Sequence, residues 1–184
     1  RYSFENQSKI TLWNLARFAE TFLHLIDSNE KTAIKKIEEI LNKYKKLFDQ
    51  SWLIMMSMKL NLDTNNNNNE KIVKEFLDLM HIYKLDYTNT FLDLENNTLD
   101  KKIFKNWEEK YKNNKLRKFK NVNPQIIPRN HIIEEIINEV YNNNFSQLYK
   151  FEKLLKNPYE KIENKKYITP PIESEKVFET FCGT

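Results

Sequence analysis

The sequence contains a single glycine in 184 residues, Gly183. Loops that cradle phosphates need several glycines, because the backbone must approach the phosphate oxygens closely and adopt positive φ angles. These residues can therefore form neither a G-x-x-x-x-G-K-[ST] loop nor a G-x-G-x-x-G turn. If the protein binds a nucleotide, we expect the loop that holds it to lie outside this sequence. A shortage of glycine also favours helices over tight turns and bulges.

Cysteine is equally scarce, with Cys182 as its one example. An internal disulfide and a cysteine-based zinc site are excluded. The three histidines lie far apart, and none begins an H-E-x-x-H motif. The adjacent acidic pairs, such as Glu38-Glu39, would point in different directions on a helix and cannot form a catalytic dyad. We therefore assign no catalytic, cofactor-binding or metal-binding residue to this sequence.

Long apolar runs are also missing. The longest spans residues 52–56, whereas a membrane-spanning helix needs roughly 20 apolar residues. No membrane partner is expected. Thirty basic and 26 acidic residues give a net charge of +4 and alternate along the chain. The nearest approach to a basic patch, residues 110–120, is interpreted as a solvated helix end and loop, so nucleic acid is not an expected partner.

The composition is that of a folded protein. Hydrophobic residues make up 40% and charged residues 30% of the sequence, with a mean hydropathy of -0.75. This combination suits helical layers with large solvated faces. Because the sequence starts at Arg1 and not at methionine, we expect it to be a piece of a longer protein, whose targeting signal would lie elsewhere.

Apolar residues recur at intervals of three and four, which predicts seven helices. Pro128 is placed at the start of the sixth, since its missing N–H costs nothing there. The asparagine run 65–69 is predicted to be a surface loop or insertion. The prolines after residue 157 predict an extended tail. The expected fold is all-α, with a helical domain at 1–156 and a docked tail at 157–184. The predicted helices cover 9–26, 30–60, 70–83, 87–94, 99–116, 128–141 and 146–155.

Four groups of segments carry a family resemblance through their order and spacing. They are RYSF at 1–4 with NQ at 6–7 and WNLAR at 13–17; DYTNTF at 86–91; NP at 123–124 with PRNH at 128–131; and NPY at 157–159 with PP at 170–171 and TFCGT at 180–184. No one of them is specific alone. Together they resemble the C-terminal portion of the selenoprotein O family (SelO, YdiU) over the whole chain.

The resemblance implies a parent enzyme with a protein-kinase-like fold. Members of the family transfer AMP from ATP to Ser, Thr or Tyr hydroxyls of other proteins, with Mg or Mn. Their ATP-binding and metal-binding residues precede the RYSF segment, so none is carried onto this chain. The chain would be a multi-helix C-terminal extension whose partner is the upstream kinase-like lobe, and it would be inactive alone. The implied location is mitochondrial if it follows eukaryotic relatives and cytoplasmic if it is bacterial.

Five residues are candidate structural anchors. Tyr2 and Phe4 would follow the metal-binding segment and anchor it to the first helix. Asp86 is a predicted helix cap. Arg129 and Asn130 stand at a helix start, where a cation is unfavourable unless it is paired. We therefore expect Arg129 to reach a carboxylate or carbonyls on another helix, with contact to a substrate as the alternative.

Cys182 is a candidate redox residue, because family members often carry cysteine or selenocysteine near the C-terminus. The resemblance implies a partner cysteine just upstream of Arg1. A free terminal thiol without a role is the alternative.

Relatives often have glycine after a Lys-Leu pair where this chain has Asn61, which tolerates left-handed backbone and can still end a helix.

The rival function is a non-enzymatic helical module that binds protein or nucleic acid. Such a module would need an exposed apolar groove or a continuous basic stripe.

Overall fold

The computed structural model describes residues 6–116 and 121–177, and within them the all-α class is confirmed. The described residues contain no strand, only an isolated antiparallel bridge between Leu62 and Lys115. Short 3₁₀ turns occupy Lys112–Asn114, Lys165–Tyr167 and Glu173–Glu175. The α-helices are α1 (Gln7–Glu20), α2 (Leu23–Ile26), α3 (Glu30–Leu41), α4 (Tyr44–Lys59), α5 (Asn69–Ile82), α6 (Tyr87–Asn96), α7 (Lys101–Tyr111), α8 (Asn130–Tyr141) and α9 (Ser146–Lys156).

The chain divides into two compact units, residues 1–55 and residues 56–184, hereafter the N-terminal and C-terminal units. The division falls inside α4 and was not indicated by the sequence. Among the described residues of the N-terminal unit, Ala33 and Ile37 are the buried apolar side chains. The other buried apolar side chains of the described chain lie in the C-terminal unit. The predicted boundary between 156 and 157 is a different division and stays a prediction.

An aromatic cluster forms the main core of the C-terminal unit. Phe76 of α5 lies 5.3 Å from Phe91 of α6, 5.0 Å from Phe104 of α7 and 4.8 Å from Trp107 of α7, measured between ring centroids. All four rings are at most 3% exposed. The Trp107 Nε1–H also donates to the Ile72 carbonyl at 3.2 Å, which satisfies its polar atom inside the core. This cluster fixes α5, α6 and α7 against one another.

A second core joins α8, α9 and the chain that follows them. Ile126, Ile132, Ile136, Phe151 and Tyr167 are its buried members. The rings of Phe151 and Tyr167 lie 5.5 Å apart. Residues after α9 therefore contribute to the packing of the last two helices.

Two predicted helices are each interrupted by a short turn. The helix expected at 9–26 breaks at Thr21 and Phe22, where the Thr21 hydroxyl donates to the Phe18 carbonyl at 2.7 Å. Such local bonds compete with continuation of a helix. The helix expected at 30–60 breaks at Asn42 and Lys43, where Lys43 N–H turns to the Ile40 carbonyl three residues back.

Asn61 ends α4 in the left-handed conformation, which confirms its predicted role. Its φ is 59°. The Leu62 N–H donates to the Ser57 carbonyl at 2.8 Å, and the Asn61 N–H to the Met58 carbonyl at 3.0 Å. These two bonds define a Schellman motif, which satisfies the free carbonyls of the last turn.

The asparagine run is more ordered than a spacer. Asn65, Asn67 and Asn68 are exposed, as expected of a loop. Asn69, however, is 1% exposed and is the first residue of α5. Its Nδ2 donates to the Asp63 carbonyl at 2.7 Å, so this end of the run is part of the folded structure. The prediction of a surface loop or insertion was therefore wrong at Asn69.

None of the helices in the described ranges combines the length and the apolar character needed to cross a membrane.

Candidate functional site

The most developed polar arrangement begins at the N-terminus of α6. Asp86 has extended backbone there and is the N-cap residue, with its Oδ1 accepting from the Asn89 N–H at 2.9 Å. The Asp86 carboxylate also accepts two bonds from Arg129, from Nη1 to Oδ2 at 2.8 Å and from Nη2 to Oδ1 at 2.9 Å. A single carboxylate thus caps one helix and binds the residue that precedes another.

Arg129 lies at the N-cap of α8 and is 8% exposed. Besides Asp86, its Nη2 donates to the Asn89 Oδ1 at 3.2 Å. Its Nε is buried without a hydrogen-bond partner among the described residues. The sequence had placed the start of α8 at Pro128, but the helix begins at Asn130. The ion pair explains this difference, because Arg129 takes extended backbone, with φ -74° and ψ 135°, while its side chain binds Asp86.

The electrostatics of the pair favour the charged carboxylate. Burial is the largest single effect on the pKa of Asp86 and raises it, because a charge is costly away from water. The hydrogen bonds from Arg129 and Asn89, with the positive charge of Arg129, together outweigh burial. The pKa of Asp86 therefore lies below its ordinary value of 3.8.

A second polar contact lies at Asn123, which is fully buried. Its Nδ2 donates to the Lys59 carbonyl at 3.1 Å and to the Glu95 Oε2 at 3.2 Å. Its Oδ1 accepts from the Lys59 Nζ at 3.1 Å. The same ammonium lies 4.9 Å from the centre of the Phe91 ring. Burial lowers the pKa of Lys59, and the nearby charge of Glu95 partly opposes that effect.

The segment 121–129, which precedes α8, is held at both ends by these contacts. Asn123 binds Glu95 on α6, and Arg129 binds Asp86 at the start of the same helix. Between them, the Gln125 N–H donates to the Pro158 carbonyl at 2.7 Å. We call this arrangement the polar brace; its members are Lys59, Asp86, Asn89, Glu95, Asn123 and Arg129.

The polar brace brings together three of the segments that carried the family resemblance. Four of its six residues come from DYTNTF at 86–91, NP at 123–124 and PRNH at 128–131, and the carbonyl of Pro158 in NPY at 157–159 accepts a bond from Gln125, between Asn123 and Arg129. These segments are distant in sequence and meet around α6. The contacts among these segments give a structural reason why they occur together in one sequence.

The other predicted site residues do not join the brace. Asn130 is the first residue of α8 and is exposed. Tyr2, Phe4 and Cys182 lie outside the described residues. Sequence reasoning missed Lys59, Glu95 and, as site members, Asn89 and Asn123. The Asn-Pro and Lys-Leu pairs were noticed, but no local signal connects residues 28 to 64 positions apart.

The brace is suited to holding helices in place. Asp86 and Arg129 are bonded directly to each other, and Lys59 and Glu95 each bind the buried amide of Asn123. In residues 6–116 and 121–177, no three His, Cys, Asp or Glu side chains lie together in a manner that could hold a metal ion. The described residues therefore offer no such cluster for a divalent metal.

Comparison with known proteins supports the resemblance read from the motifs. The family described as protein adenylyltransferase SelO matches residues 1–157. The protein nucleotidyltransferase YdiU of Pelagibacter ubique (strain HTCC1062) is 38% identical over 203 residues, which cover 100% of this chain and 42% of that protein. Proteins of the same name from Bacillus cereus (strain AH820) and Bacillus thuringiensis (strain Al Hakam) are 33% and 34% identical over 202 residues, covering 100% of this chain and 41% of each. The chain thus spans about two fifths of the length of these relatives. Because the family match extends over most of the sequence, the chain belongs to the SelO family.

Proposed function

We propose that this chain is the C-terminal helical part of a protein adenylyltransferase that transfers AMP from ATP to Ser, Thr or Tyr hydroxyls of other proteins. The proposal is supported by the family match over residues 1–157 and by relatives named protein nucleotidyltransferase. The catalytic part, with a kinase-like fold, precedes Arg1. The three relatives compared are bacterial, which gives no support to a mitochondrial location.

ATP and its Mg or Mn ion are assigned to that upstream part. The sequence offers no glycine-rich phosphate loop, and its described residues offer no cluster of metal ligands. This chain would have a structural role, since its helices would support the catalytic lobe from the C-terminal side. Tyr2 and Phe4 would anchor the junction with that lobe.

The observation that carries this division of labour is the Asp86–Arg129 pair. Both carboxylate oxygens of Asp86 are bonded to Arg129, and Arg129 is 8% exposed. A residue that contacts substrate must present polar atoms to it, whereas both oxygens of Asp86 and both terminal nitrogens of Arg129 are bonded within the chain and the Arg129 Nε is buried. Arg129 therefore serves as a positioning residue in the proposal.

AMP transfer by the full-length protein tests the proposal directly. The protein is incubated with α-labelled ATP, Mg or Mn, and a mixture of candidate protein substrates, and labelled protein is detected. The full-length protein should label itself or a substrate, and residues 1–184 alone should not. Absence of label with the full-length protein would contradict the enzyme assignment. Label produced by residues 1–184 alone would contradict the supporting role.

Redox control through Cys182 is a separate part of the proposal. It is supported by the family resemblance, which implies a partner cysteine just upstream of Arg1. Mass mapping of the full-length protein without reducing agent should find Cys182 in a disulfide. A thiol that stays reduced under oxidising conditions would favour the alternative of a terminal cysteine without a role.

The rival function is a helical module that binds protein or nucleic acid. Of the two features it would need, the described residues show an exposed apolar groove lined by residues from 15 to 47, whereas lysines near residue 110 are paired with carboxylates. In segment 110–120, which was interpreted as a solvated helix end and loop, Lys110 is paired with Glu75 at 2.7 Å and Lys115 with Glu108 at 3.4 Å. Paired lysines are poor phosphate ligands. Binding of generic DNA or RNA with a steep salt dependence would revive this alternative.

A further inference from the structure

The N-terminal unit carries an apolar groove that its own residues leave open. Its lining includes Phe18 of α1, Phe22, Leu25, Ile40, Tyr44 and Leu47. We call these six residues the groove. It encloses about 500 Å³. Every residue that lines it is apolar or aromatic, so it is suited neither to an acidic peptide nor to nucleic acid.

Four of the six groove side chains are unusually exposed for their type. Leu25 is 81% exposed, Ile40 65%, and Phe18 and Leu47 60% each. Single exposed apolar residues are normal on protein surfaces, but a contiguous group marks an interaction surface. The groove therefore has the character of a surface that another apolar surface covers.

The thin core of the N-terminal unit leads to the same conclusion. In residues 6–55, Ala33 and Ile37 are the buried apolar side chains. Ordering each residue costs about 1–2 kcal/mol of backbone entropy, which apolar burial must offset. Two buried side chains, with half-buried ones such as Leu12, Phe22 and Leu41, offset only part of that cost. Burial of the groove against further polypeptide would supply the missing apolar contact.

We infer that the groove is covered, in the intact protein, by an apolar face of the catalytic part that precedes Arg1. The inference rests on the proposed function. The relatives are more than twice the length of this chain, so most of such a protein lies outside it. The groove begins in α1, the first described helix, and the upstream part would be tethered close to it. A short covalent tether gives such a partner a high effective concentration compared with a free protein.

Thiol labelling of the full-length protein tests whether the groove is covered, and a second position serves as a matched control. Leu25→Cys and Tyr141→Cys are made separately, with Cys182→Ser in both. Leu25 and Tyr141 are each 81% exposed in this chain, but Tyr141 lies on α8, outside the groove. Maleimide uptake at each position is read by peptide mass. We expect Leu25→Cys to label at least about tenfold more slowly than Tyr141→Cys in the full-length protein. Equal rates would overturn the inference.

Two other occupants would also overturn it. Protection of Leu25→Cys that disappears on dilution would assign the groove to a second copy of the protein. Protection that disappears when residues 178–184 are deleted would assign it to the C-terminal residues of this chain. A photo-crosslinking residue at Phe18 gives an independent readout: crosslinks to peptides that precede Arg1 support the inference, and crosslinks to any other peptide contradict it.

The labelling readout does not depend on enzymatic activity. An active enzyme with an open groove would contradict only the inference that the groove is covered. A protected groove in a full-length protein that transfers no AMP would contradict the proposed function alone.

Discussion

Arg129 binds both carboxylate oxygens of Asp86, at 2.8 and 2.9 Å, across 43 residues of sequence. The pair joins the N-terminus of α6 to that of α8. An arginine at a helix N-terminus is electrostatically unfavourable by itself, because the helix dipole is positive there. Its pairing with Asp86 removes that conflict and fixes the position of segment 121–129.

Replacing Arg129 by alanine should destabilise the protein by about 2–4 kcal/mol, because a partly buried carboxylate would lose its charged partner. Arg129→Lys should have an intermediate effect, since an ammonium cannot match both oxygens as a guanidinium does. Urea unfolding measures both. The control is Lys105→Ala, whose exposed partner Glu109 lies 3.9 Å away; it should cost less than about 0.5 kcal/mol. A loss for Arg129→Ala as small as the control's would contradict the role of the brace.

The Asp86 pair should also make stability depend on pH in the acid range. The pKa of Asp86 is lower in the folded protein than its ordinary value of 3.8, so folding favours the charged carboxylate. Its contribution is fully present above about pH 4 and is lost as the pH falls through the lower, folded pKa.

Asp86→Asn isolates that contribution, because asparagine still caps a helix but carries no charge. The difference in unfolding free energy between the unmodified protein and this variant should shrink as the pH is lowered from about 6 towards 2. Other carboxylates titrate in both proteins and cancel in the difference. A difference that is constant over this range would show that the charge of Asp86 does not contribute.

Asn123→Ala should cost about 1–3 kcal/mol, since it removes a fully buried amide and leaves Lys59 and Glu95 without one of their partners. Asn130→Ala is the matched control, because Asn130 is exposed at the start of α8. Its substitution should change the stability by less than about 0.5 kcal/mol. If the two substitutions had equal effects on the free energy of unfolding in urea, Asn123 would not stabilise the protein through the brace.

Substitutions at Asn61 should separate backbone strain from a side-chain bond. Alanine is strained at a φ of 59° and also loses the bond from Asn61 Nδ2 to the Leu116 carbonyl at 2.8 Å, so Asn61→Ala should cost about 1–3 kcal/mol. Asn61→Gly loses only the bond and should cost less. Thermal unfolding of both variants measures the difference. A glycine variant less stable than the alanine variant would contradict the left-handed helix end.

The sequence predicted the helices well because their apolar stripes are local signals. The buried side chains of α7, Phe104, Trp107 and Tyr111, follow the spacing of three and four from which that helix was predicted, and Ile103 on the same stripe is half-buried. The interruptions at Thr21 and Asn42 were missed, since the apolar stripe continues across both and neither site has proline or glycine. These breaks depend on single hydrogen bonds that periodicity does not reveal.

The polar brace was only partly predictable, for a different reason. A carboxylate cap at Asp86 and a need for a partner at Arg129 follow from local rules about helix ends. The identity of that partner, and the contact between Lys59 and Asn123 across 64 residues, follow from tertiary packing. The start of α8 was misplaced at Pro128 because a local rule was applied where a distant ion pair decides the backbone.

The residues after α9 determine where this protein can be shortened. The family match ends at residue 157, yet the Pro158 and Ile168 carbonyls accept bonds from Gln125 and Asn89, and Tyr167 packs on Phe151. Truncation at Lys156 would leave those amides without acceptors and open the second core to water. The smallest self-sufficient version of the C-terminal unit must therefore extend at least to Ile168, beyond the limit that sequence similarity alone would set.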